Sequence, residues 1–200
     1  MRNDTDLRQK VLQASLALIE EGGLDRLSMR EVARKSGVSH QAPYYYFGDR
    51  EAILAAIAGE GFSKLAESFR RAVTQAESDP AKALEAMGGA YVGFALRHPA
   101  YFQAMFRADA VPLDRYPDAR KREDEAFGTL VEEIGKLFGD QSPAVRLTIS
   151  IACWAMVHGL ATLILEGTLA RTVGIPRARQ RQAADEVIGT FTSLLIKNRT

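Results

Sequence analysis

The stretch from residue 28 to residue 54, SMREVARKSGVSHQAPYYYFGDREAIL, predicts two short helices joined by a tight turn. Ser28 is a favoured N-cap, and Glu31 follows three residues later, which is the spacing of a capping box. Gly37 supplies the permissive backbone that a sharp reversal after the first helix requires. Two short helices around a glycine turn, the second rich in aromatic residues, are typical of a helix-turn-helix that binds DNA.

The second short helix is predicted over residues 40–47, with Ser39 as its N-cap. Pro43 then occupies the fourth helical position, where it removes only the first intrahelical hydrogen bond. If Val38, Pro43 and Phe47 face the core, a helical spacing of about 100° per residue leaves an outer surface free. The residues of that outer surface are His40, Gln41, Ala42, Tyr44 and Tyr45.

The side chains of this outer surface suit contacts with DNA. Gln pairs with an adenine edge, an Ala methyl contacts a thymine methyl, and Tyr hydroxyls commonly bind phosphates. The alternative is that the three successive tyrosines pack a small core, since tyrosine is intermediate in burial. Three consecutive helical residues cannot all face inward, so we expect at least one or two to be exposed and Tyr46 to pack.

Residues 37–54 resemble the recognition region of the TetR family of transcriptional repressors, whose pattern is Gly-Val-Ser, then Tyr-x-x-Phe, then a basic-acidic pair before Leu. The matching residues are Gly37, Val38, Ser39, Tyr44, Phe47, Arg50, Glu51 and Leu54. Pro43 departs from the pattern, because an aliphatic residue is commoner at that position. The residues and the resemblance together give a predicted DNA-binding set of Arg30, Ser39, His40, Gln41, Ala42, Tyr44, Tyr45 and Arg50.

Three members of this set owe their roles to the resemblance. Arg30 is similar to the basic residue that reaches the groove from the first short helix, and its alternative is a solvated charge. His40 occupies a position that contacts DNA in many relatives, and its alternative is simple solvation. Arg50 lies where relatives place a basic phosphate contact, and its alternative is a salt bridge with neighbouring acids.

The composition places limits on this interpretation. The chain has 200 residues, 46% of them hydrophobic, which is enough for one or two folded units with a sizeable core. Its formal net charge is only +1, and its first fifty residues hold eight Lys and Arg against seven Asp and Glu. An electropositive face must therefore arise from placement, with Arg30, Arg34, Lys35 and Arg50 on the DNA side.

Cysteine usage and the start of the chain bear on the cellular compartment. Cys153 is the only cysteine, which excludes an internal disulfide framework. It lies in an apolar stretch, so we expect a buried small hydrophobic residue rather than a redox sensor. No charged leader with an apolar core and cleavage site opens the chain, and a cytoplasmic protein is expected.

Helical periodicity and helix start and stop signals predict an all-α fold with no β pattern and no internal repeat. The expected helices cover residues 6–21, the two short helices, residues 50–77, a helix from Asp79-Pro80 to His98-Pro99, residues 100–107, 119–138, an apolar helix after Ser142-Pro143, and residues 179–197. We predict a three-helix helix-turn-helix head over residues 1–49. A larger helical ligand-binding and dimerisation body is predicted over residues 50–200.

The most apolar stretch, residues 147–165, contains no permanently charged residue. Its length alone permits a membrane span, but interspersed Thr, Ser and His residues favour a large core or an interface. Trp154, His158 and Gly159 within it are similar to the WHG-type C-terminal domain of one TetR subgroup. The resemblance implies that the last two long helices pair with their mates across a twofold axis to form a homodimer.

A small-molecule cavity among the middle helices is implied by the family resemblance rather than by the residues. Large apolar and aromatic side chains of the body are more often core than binding site. His158 is likewise first a core or interface histidine and second a pH or ligand sensor. The candidate ligand-binding residues are Met87, Tyr91, Phe94, Phe102, Met105, Phe127, Trp154 and His158.

The residues and the family resemblance together favour a homodimeric repressor that binds a palindromic operator and is released by a hydrophobic or amphipathic ligand. The sequence contains no Glu-x-x-His pair suited to a di-iron bundle, no His-Glu-x-x-His and no Gly-x-x-x-x-Gly-Lys motif, so no metal, no cofactor and no catalytic role are expected. The alternatives are a helical small-molecule-binding protein or enzyme without a DNA-binding role, and a membrane-associated helical protein.

Overall fold

The computed structural model describes residues 2–107 and 110–197, and in this part of the chain all regular structure is helical. The α-helices are α1 (Arg2–Gly22), α2 (Met29–Ser36), α3 (Ala42–Phe47), α4 (Arg50–Gln75), α5 (Pro80–Arg97), α6 (Pro99–Phe106), α7 (Pro117–Leu137), α8 (Pro143–Leu165), α9 (Thr168–Val173) and α10 (Arg177–Lys197). Two 3-10 turns lie at Leu24–Arg26 and Leu113–Arg115. The predicted all-α fold is confirmed.

Helices α5 and α8 each begin where the local sequence supplies a capping side chain followed by a proline. The Asp79 Oδ1 atom accepts hydrogen bonds from the amides of Ala81 and Lys82, at 3.0 and 3.2 Å, directly before α5. Ser142 Oγ accepts from the Val145 amide at 3.4 Å before α8. Proline at the start of each helix loses no intrahelical bond, because the first amides have no partner there.

The sequence did not predict α9, a helix of one and a half turns. It lies between Gly167 and Gly174, which have φ values of 69° and 75°. Glycine adopts this left-handed conformation without the steric cost that other residues incur. The two glycines therefore allow a short helix in a segment without a strong apolar period.

One compact unit combines residues 1–63 with residues 98–123. Its buried core comes from the first four helices and α6, and includes Leu18, Ile19, Val32, Ile53, Leu54 and Ile57. Helices α4 and α6 approach closely at Gly61, where an added Cβ would lie 2.6 Å from Met105 Sδ. The glycine makes room for α6 against the middle of α4.

The second unit combines residues 64–97 with residues 124–200. Helix α5 packs against both α8 and α10 within it. The close contact uses Gly88, where an added Cβ would lie 2.9 Å from Ile188 Cγ2 and 3.4 Å from Val157 Cγ1. Neither unit is continuous in sequence, and the functional boundary after residue 49 stays a prediction.

Helix α8 is long and apolar enough to cross a membrane by length and composition, and 33% of its most apolar window is buried. Several of its large apolar side chains are exposed in the single chain, namely Val145, Leu147, Ile151, Leu163 and Leu165. Val187 and Leu194 of α10 are also exposed. These exposed apolar side chains of α8 and α10, called the apolar face below, are available to a partner surface.

Candidate nucleic-acid interface and ligand-binding region

The first short helix, α2, is capped as predicted. Ser28 Oγ accepts a hydrogen bond of 3.2 Å from the Glu31 amide, and Gly37 ends the helix with a φ of 67°. The Glu31 carboxylate is bonded to Arg34, with Nη2 at 2.8 Å, instead of returning to the cap residue. The cap and the glycine turn are confirmed, and an ion pair takes the place of the second half of the capping box.

The second short helix, α3, begins at Ala42 rather than at His40, and the prediction that Ser39 caps it is wrong. The Ser39 carbonyl oxygen accepts a hydrogen bond of 3.0 Å from the Ala42 amide, so residues 39–42 form a turn before the helix. Pro43 is thus the second helical residue, not the fourth, and removes no intrahelical hydrogen bond. Pro43 is buried, as the prediction that it faces the core requires.

The side chains around α3 divide into exposed and more buried ones, as the helical spacing requires. Tyr44 is 45% exposed and Tyr45 is 77% exposed, whereas Tyr46 is half-buried. The predicted division of the three tyrosines is therefore confirmed. Ser39, His40 and Gln41 are exposed and Ala42 is half-buried, so most of the predicted contact set lies on the surface.

The side chains facing solvent before and within α3 are close to one another. The His40 and Tyr44 rings have centroids 6.1 Å apart, and those of Tyr45 and Tyr46 are 5.0 Å apart in an edge-to-face arrangement. These pairs combine aromatic faces with polar groups that can donate or accept hydrogen bonds. Such a surface can contact both base edges and phosphates.

Arg50, at the first position of α4, has a role that neither prediction for it included. Its Nε donates a hydrogen bond of 2.9 Å to the Leu27 carbonyl, and its Nη2 donates one of 2.7 Å to the Leu24 carbonyl. The side chain thereby joins α4 to the 3-10 turn before α2. The alternative of a salt bridge with neighbouring acids is not what these bonds show, because backbone carbonyls occupy two of the guanidinium nitrogens.

The basic residues of α2 are partly neutralised by acids. Lys35 Nζ lies 2.5 Å from Glu21 Oε1, and hydrogen bonding to this lysine lowers the pKa of Glu21. Hydrogen bonding to Arg34 likewise lowers the pKa of Glu31. Arg30 is exposed. The expected positive surface of four residues is thus weakened at Arg34 and Lys35, because each of them holds a carboxylate.

Six of the eight candidate ligand-binding residues lie in the second unit, and four of these form a connected cluster. Tyr91 Oη and His158 Nδ1 are 2.8 Å apart, and the Trp154 indole donates to Tyr91 Oη at 3.3 Å. The Phe127 and Trp154 rings are 5.8 Å apart. Since an indole N–H can only donate, the Tyr91 hydroxyl accepts from Trp154 and can donate its own proton to His158.

Burial shifts the protonation of this cluster. It raises the pKa of Tyr91, whose side chain is 3% exposed, and lowers the pKa of half-buried His158. Both shifts favour the neutral form, because low-polarity surroundings penalise charge. Phe69 was missing from the predicted set, yet its ring stacks on Tyr91 with centroids 6.4 Å apart. The cluster is therefore a neutral hydrogen-bonded group flanked by aromatic rings.

The other members of the predicted ligand set have different surroundings. Met87 and Phe94 are buried in the second unit. Phe102 and Met105 belong to α6 in the first unit, where the Phe102 and Phe106 rings are 5.0 Å apart and Met105 packs on Gly61. These contacts give Phe102 and Met105 a packing role within their own unit. Their part in ligand binding stays a prediction.

Cys153 is 5% exposed in α8, and burial raises the pKa of its thiol to about 11. A thiol with such a pKa is almost entirely protonated near neutral pH, and the thiolate is the reactive form. The prediction of a buried, small apolar residue is confirmed.

Two family models match the chain. The model described as bacterial regulatory proteins, tetR family, matches residues 11–57, and the one described as tetracyclin repressor-like, C-terminal domain, matches residues 84–194. Among curated relatives, the uncharacterized HTH-type transcriptional regulator YobS of Bacillus subtilis (strain 168) is 26% identical over 200 residues, covering 96% of this chain and 95% of YobS.

Solved structures show the same fold. A protein with unknown function from Rhodococcus sp. RHA1 has a TM-score of 0.75 and 32% identity, over 92% of this chain and 94% of that chain. A TetR variant from Acinetobacter baumannii AYE in complex with minocycline has a TM-score of 0.65 at 20% identity, over 95% and 96% of the two chains. With residues 11–57 and 84–194 matched by the two family models, the chain belongs to the TetR family of DNA-binding transcriptional regulators.

Proposed function

We propose that the protein is a homodimeric repressor, and that each copy inserts α3 into a major groove of a palindromic operator. The observation that carries this proposal is the exposed surface of His40, Gln41, Tyr44 and Tyr45 on a capped helix-turn-helix. Arg30, Ser39 and Ala42 complete the proposed contact surface. Repression follows when the bound dimer occupies promoter DNA and excludes polymerase.

The proposal gives Arg50 a different role from the phosphate contact that the family resemblance implies. Its two bonds to backbone carbonyls support an indirect role, in which it holds the helix-turn-helix in the shape that DNA requires. One guanidinium nitrogen, Nη1, is left for a phosphate. We therefore assign Arg50 primarily to positioning and Arg30 to direct phosphate contact.

The proposed dimer uses the apolar face of α8 and α10. Exposed apolar side chains such as Ile151, at 49%, and Leu194, at 56%, would lose contact with water when two copies pair. Four helices from two copies would then surround a twofold axis. The same face is the basis of the alternative of a membrane-associated protein. Sedimentation of the protein with washed membranes would support that alternative, and a soluble dimer in a cytoplasmic extract would contradict it.

A small hydrophobic or amphipathic molecule is the proposed inducer. Buried Met87, Tyr91 and Phe94 and the half-buried Phe127, Trp154 and His158 support a site with apolar walls and a few polar groups. The related TetR variant in complex with minocycline supports ligand binding in a body of this fold. A ligand that prefers the conformer with weak DNA affinity lowers operator affinity by the same coupling factor. We expect no catalytic activity.

The decisive experiment selects bound sequences from random duplex DNA and then footprints the protein on the selected site. We expect a sequence with dyad symmetry, with half-sites about 34–36 Å apart or a multiple of that distance. Light scattering should give the mass of a dimer for the free protein. For the complex it should give two protein chains, or a multiple of two, for each DNA duplex. Failure to bind any duplex at low ionic strength, or a footprint without symmetry, would contradict the proposal.

A further inference from the structure

A groove of about 770 Å³ lies between α4, α5 and α10 of the second unit. Its lining includes four basic side chains and two acidic ones. The groove is therefore positively charged, whereas the chain as a whole is nearly neutral. These residues are Arg71, Lys82, Arg97 and Arg181, with Glu85 and Asp185. The volume falls in the range of small-molecule sites.

Two glycines of α5 bring the arginines of this groove together. A Cβ added at Gly93 would lie 2.6 Å from Arg181 Nη1 and 3.3 Å from Arg97 Nη1. A Cβ added at Gly89, one turn earlier, would lie 3.2 Å from Arg181 Nη2. The missing side chains let the Arg181 guanidinium lie against the backbone of α5, next to the guanidinium of Arg97.

The two guanidinium groups carry more positive charge than their surroundings neutralise. Arg181 is held by Asp185 through two contacts, Nε to Oδ2 at 3.0 Å and Nη2 to Oδ1 at 2.9 Å, which leaves its Nη1 beside Arg97. Arg71, on α4, donates to the neutral hydroxyl of Ser68 at 3.2 Å. Like charges this close repel, and an anion between them would turn the repulsion into attraction.

We propose that this groove binds the anionic group, a carboxylate or a phosphate, of a small organic molecule between Arg97 and Arg181. Guanidinium groups present paired N–H donors that match the oxygens of both anions. Arg71 on the groove wall adds long-range attraction, whereas Lys82 lies 3.8 Å from the Asp79 carboxylate, which offsets its charge. This site is independent of the DNA-binding surface and is distinct from the aromatic cluster around Tyr91.

Dimerisation through the apolar face would leave the groove accessible. At about 100° per residue, Val187 and Leu194 point roughly 120–140° away from Arg181 around α10. The groove and the apolar face therefore lie on different sides of that helix. Its other wall includes Ser68, Arg71, Ala72 and Gln75 of α4, the same helix that begins at Arg50.

The test is isothermal titration of the full chain with inorganic pyrophosphate and, separately, with succinate, at constant ionic strength. We expect saturable binding of one or both anions, weakened at least about ten-fold by Arg97→Ala and by Arg181→Ala. Gly93→Ala should weaken binding without any change of charge, since its Cβ displaces Arg181. Arg171→Ala, an exposed arginine of α9 bonded to Thr168, is the matched control and should bind as the wild type does.

The outcomes separate a built site from general attraction of anions. Equal loss in Arg171→Ala, or no saturable binding of either anion, would overturn the proposal. Thermal melts of each variant show whether it is folded, and the substituted arginines are exposed, so little loss of stability is expected. Operator binding of Arg97→Ala measured without the anion should equal that of the wild type, so this site and the repressor proposal can fail separately.

Discussion

Arg50 Nε donates a hydrogen bond of 2.9 Å to the carbonyl oxygen of Leu27, which lies 23 positions earlier in the chain. A second bond, from Nη2 to the Leu24 carbonyl, spans 26 positions. Both carbonyls belong to the segment that leads into α2. One charged side chain therefore fixes the start of the long helix against the entry to the helix-turn-helix.

Replacing this side chain should lower stability. We expect Arg50→Ala to reduce the free energy of unfolding by about 1.5–3 kcal/mol, because a charged donor loses two hydrogen bonds to backbone carbonyls. Urea unfolding followed by circular dichroism measures the change. The control is Arg30→Ala, at an exposed position, which should change stability by less than about 0.5 kcal/mol. Equal stability of the two variants would contradict the positioning role.

The sequence predicted helices best where the signal was local. Ser28 before α2 and the Asp79-Pro80 and Ser142-Pro143 pairs each specify a start through their own side chains. The start of α3 was misplaced because Ser39 accepts through its backbone carbonyl from the Ala42 amide, in a turn, and does not cap the helix with its side chain. Serine is favoured both in helix caps and in turns, so the residue type alone did not distinguish the two.

Substitutions of Gln41 and Arg30 should distinguish a base contact, assigned to Gln41, from a phosphate contact, assigned to Arg30. We expect Gln41→Ala to lose about 1–3 kcal/mol of binding free energy on the preferred operator and to relax discrimination at one base position. Arg30→Ala should weaken binding to all sequences alike and lower the salt slope by about one. Fluorescence anisotropy on single-base operator variants, at several salt concentrations, measures both effects. Identical profiles for the two variants would refute the assigned roles.

The apolar face of α8 and α10 should control the oligomeric state. Ile151→Glu places a charge on each copy in the proposed interface, and desolvation and repulsion should weaken dimerisation at least about 100-fold. Val173→Glu is the matched control, because Val173 is an exposed apolar residue of α9, outside that face. Analytical ultracentrifugation over a concentration series distinguishes the two. A dimer that survives Ile151→Glu unchanged would require another interface.

Candidate site residues were harder to predict than helices, because the sequence does not state which apolar side chains share a core. Phe102 and Met105 are of the residue types that line pockets, yet they lie on α6 in the first unit, where Gly61 makes room for Met105. The family resemblance assigned Arg50 to a phosphate, and its two carbonyl acceptors, 23 and 26 positions earlier in the chain, could not be identified from the sequence. The aromatic cluster around Tyr91 was predicted in part, since Trp154 and His158 are one helical turn apart.

The lowered pKa of His158 should make stability depend on pH. In the folded protein burial disfavours the charged imidazole, whereas in the unfolded chain it titrates near its ordinary pKa of about 6.5. The unfolded chain thus binds more protons in the window below that value, and stability should fall as the pH drops from about 7 toward the folded pKa. His158→Gln, which keeps an acceptor for Tyr91, should flatten this dependence in thermal melts between pH 7.5 and 5. His40→Gln, at an exposed position, should retain it. Parallel curves for the wild type and His158→Gln would show that other groups cause the acid sensitivity.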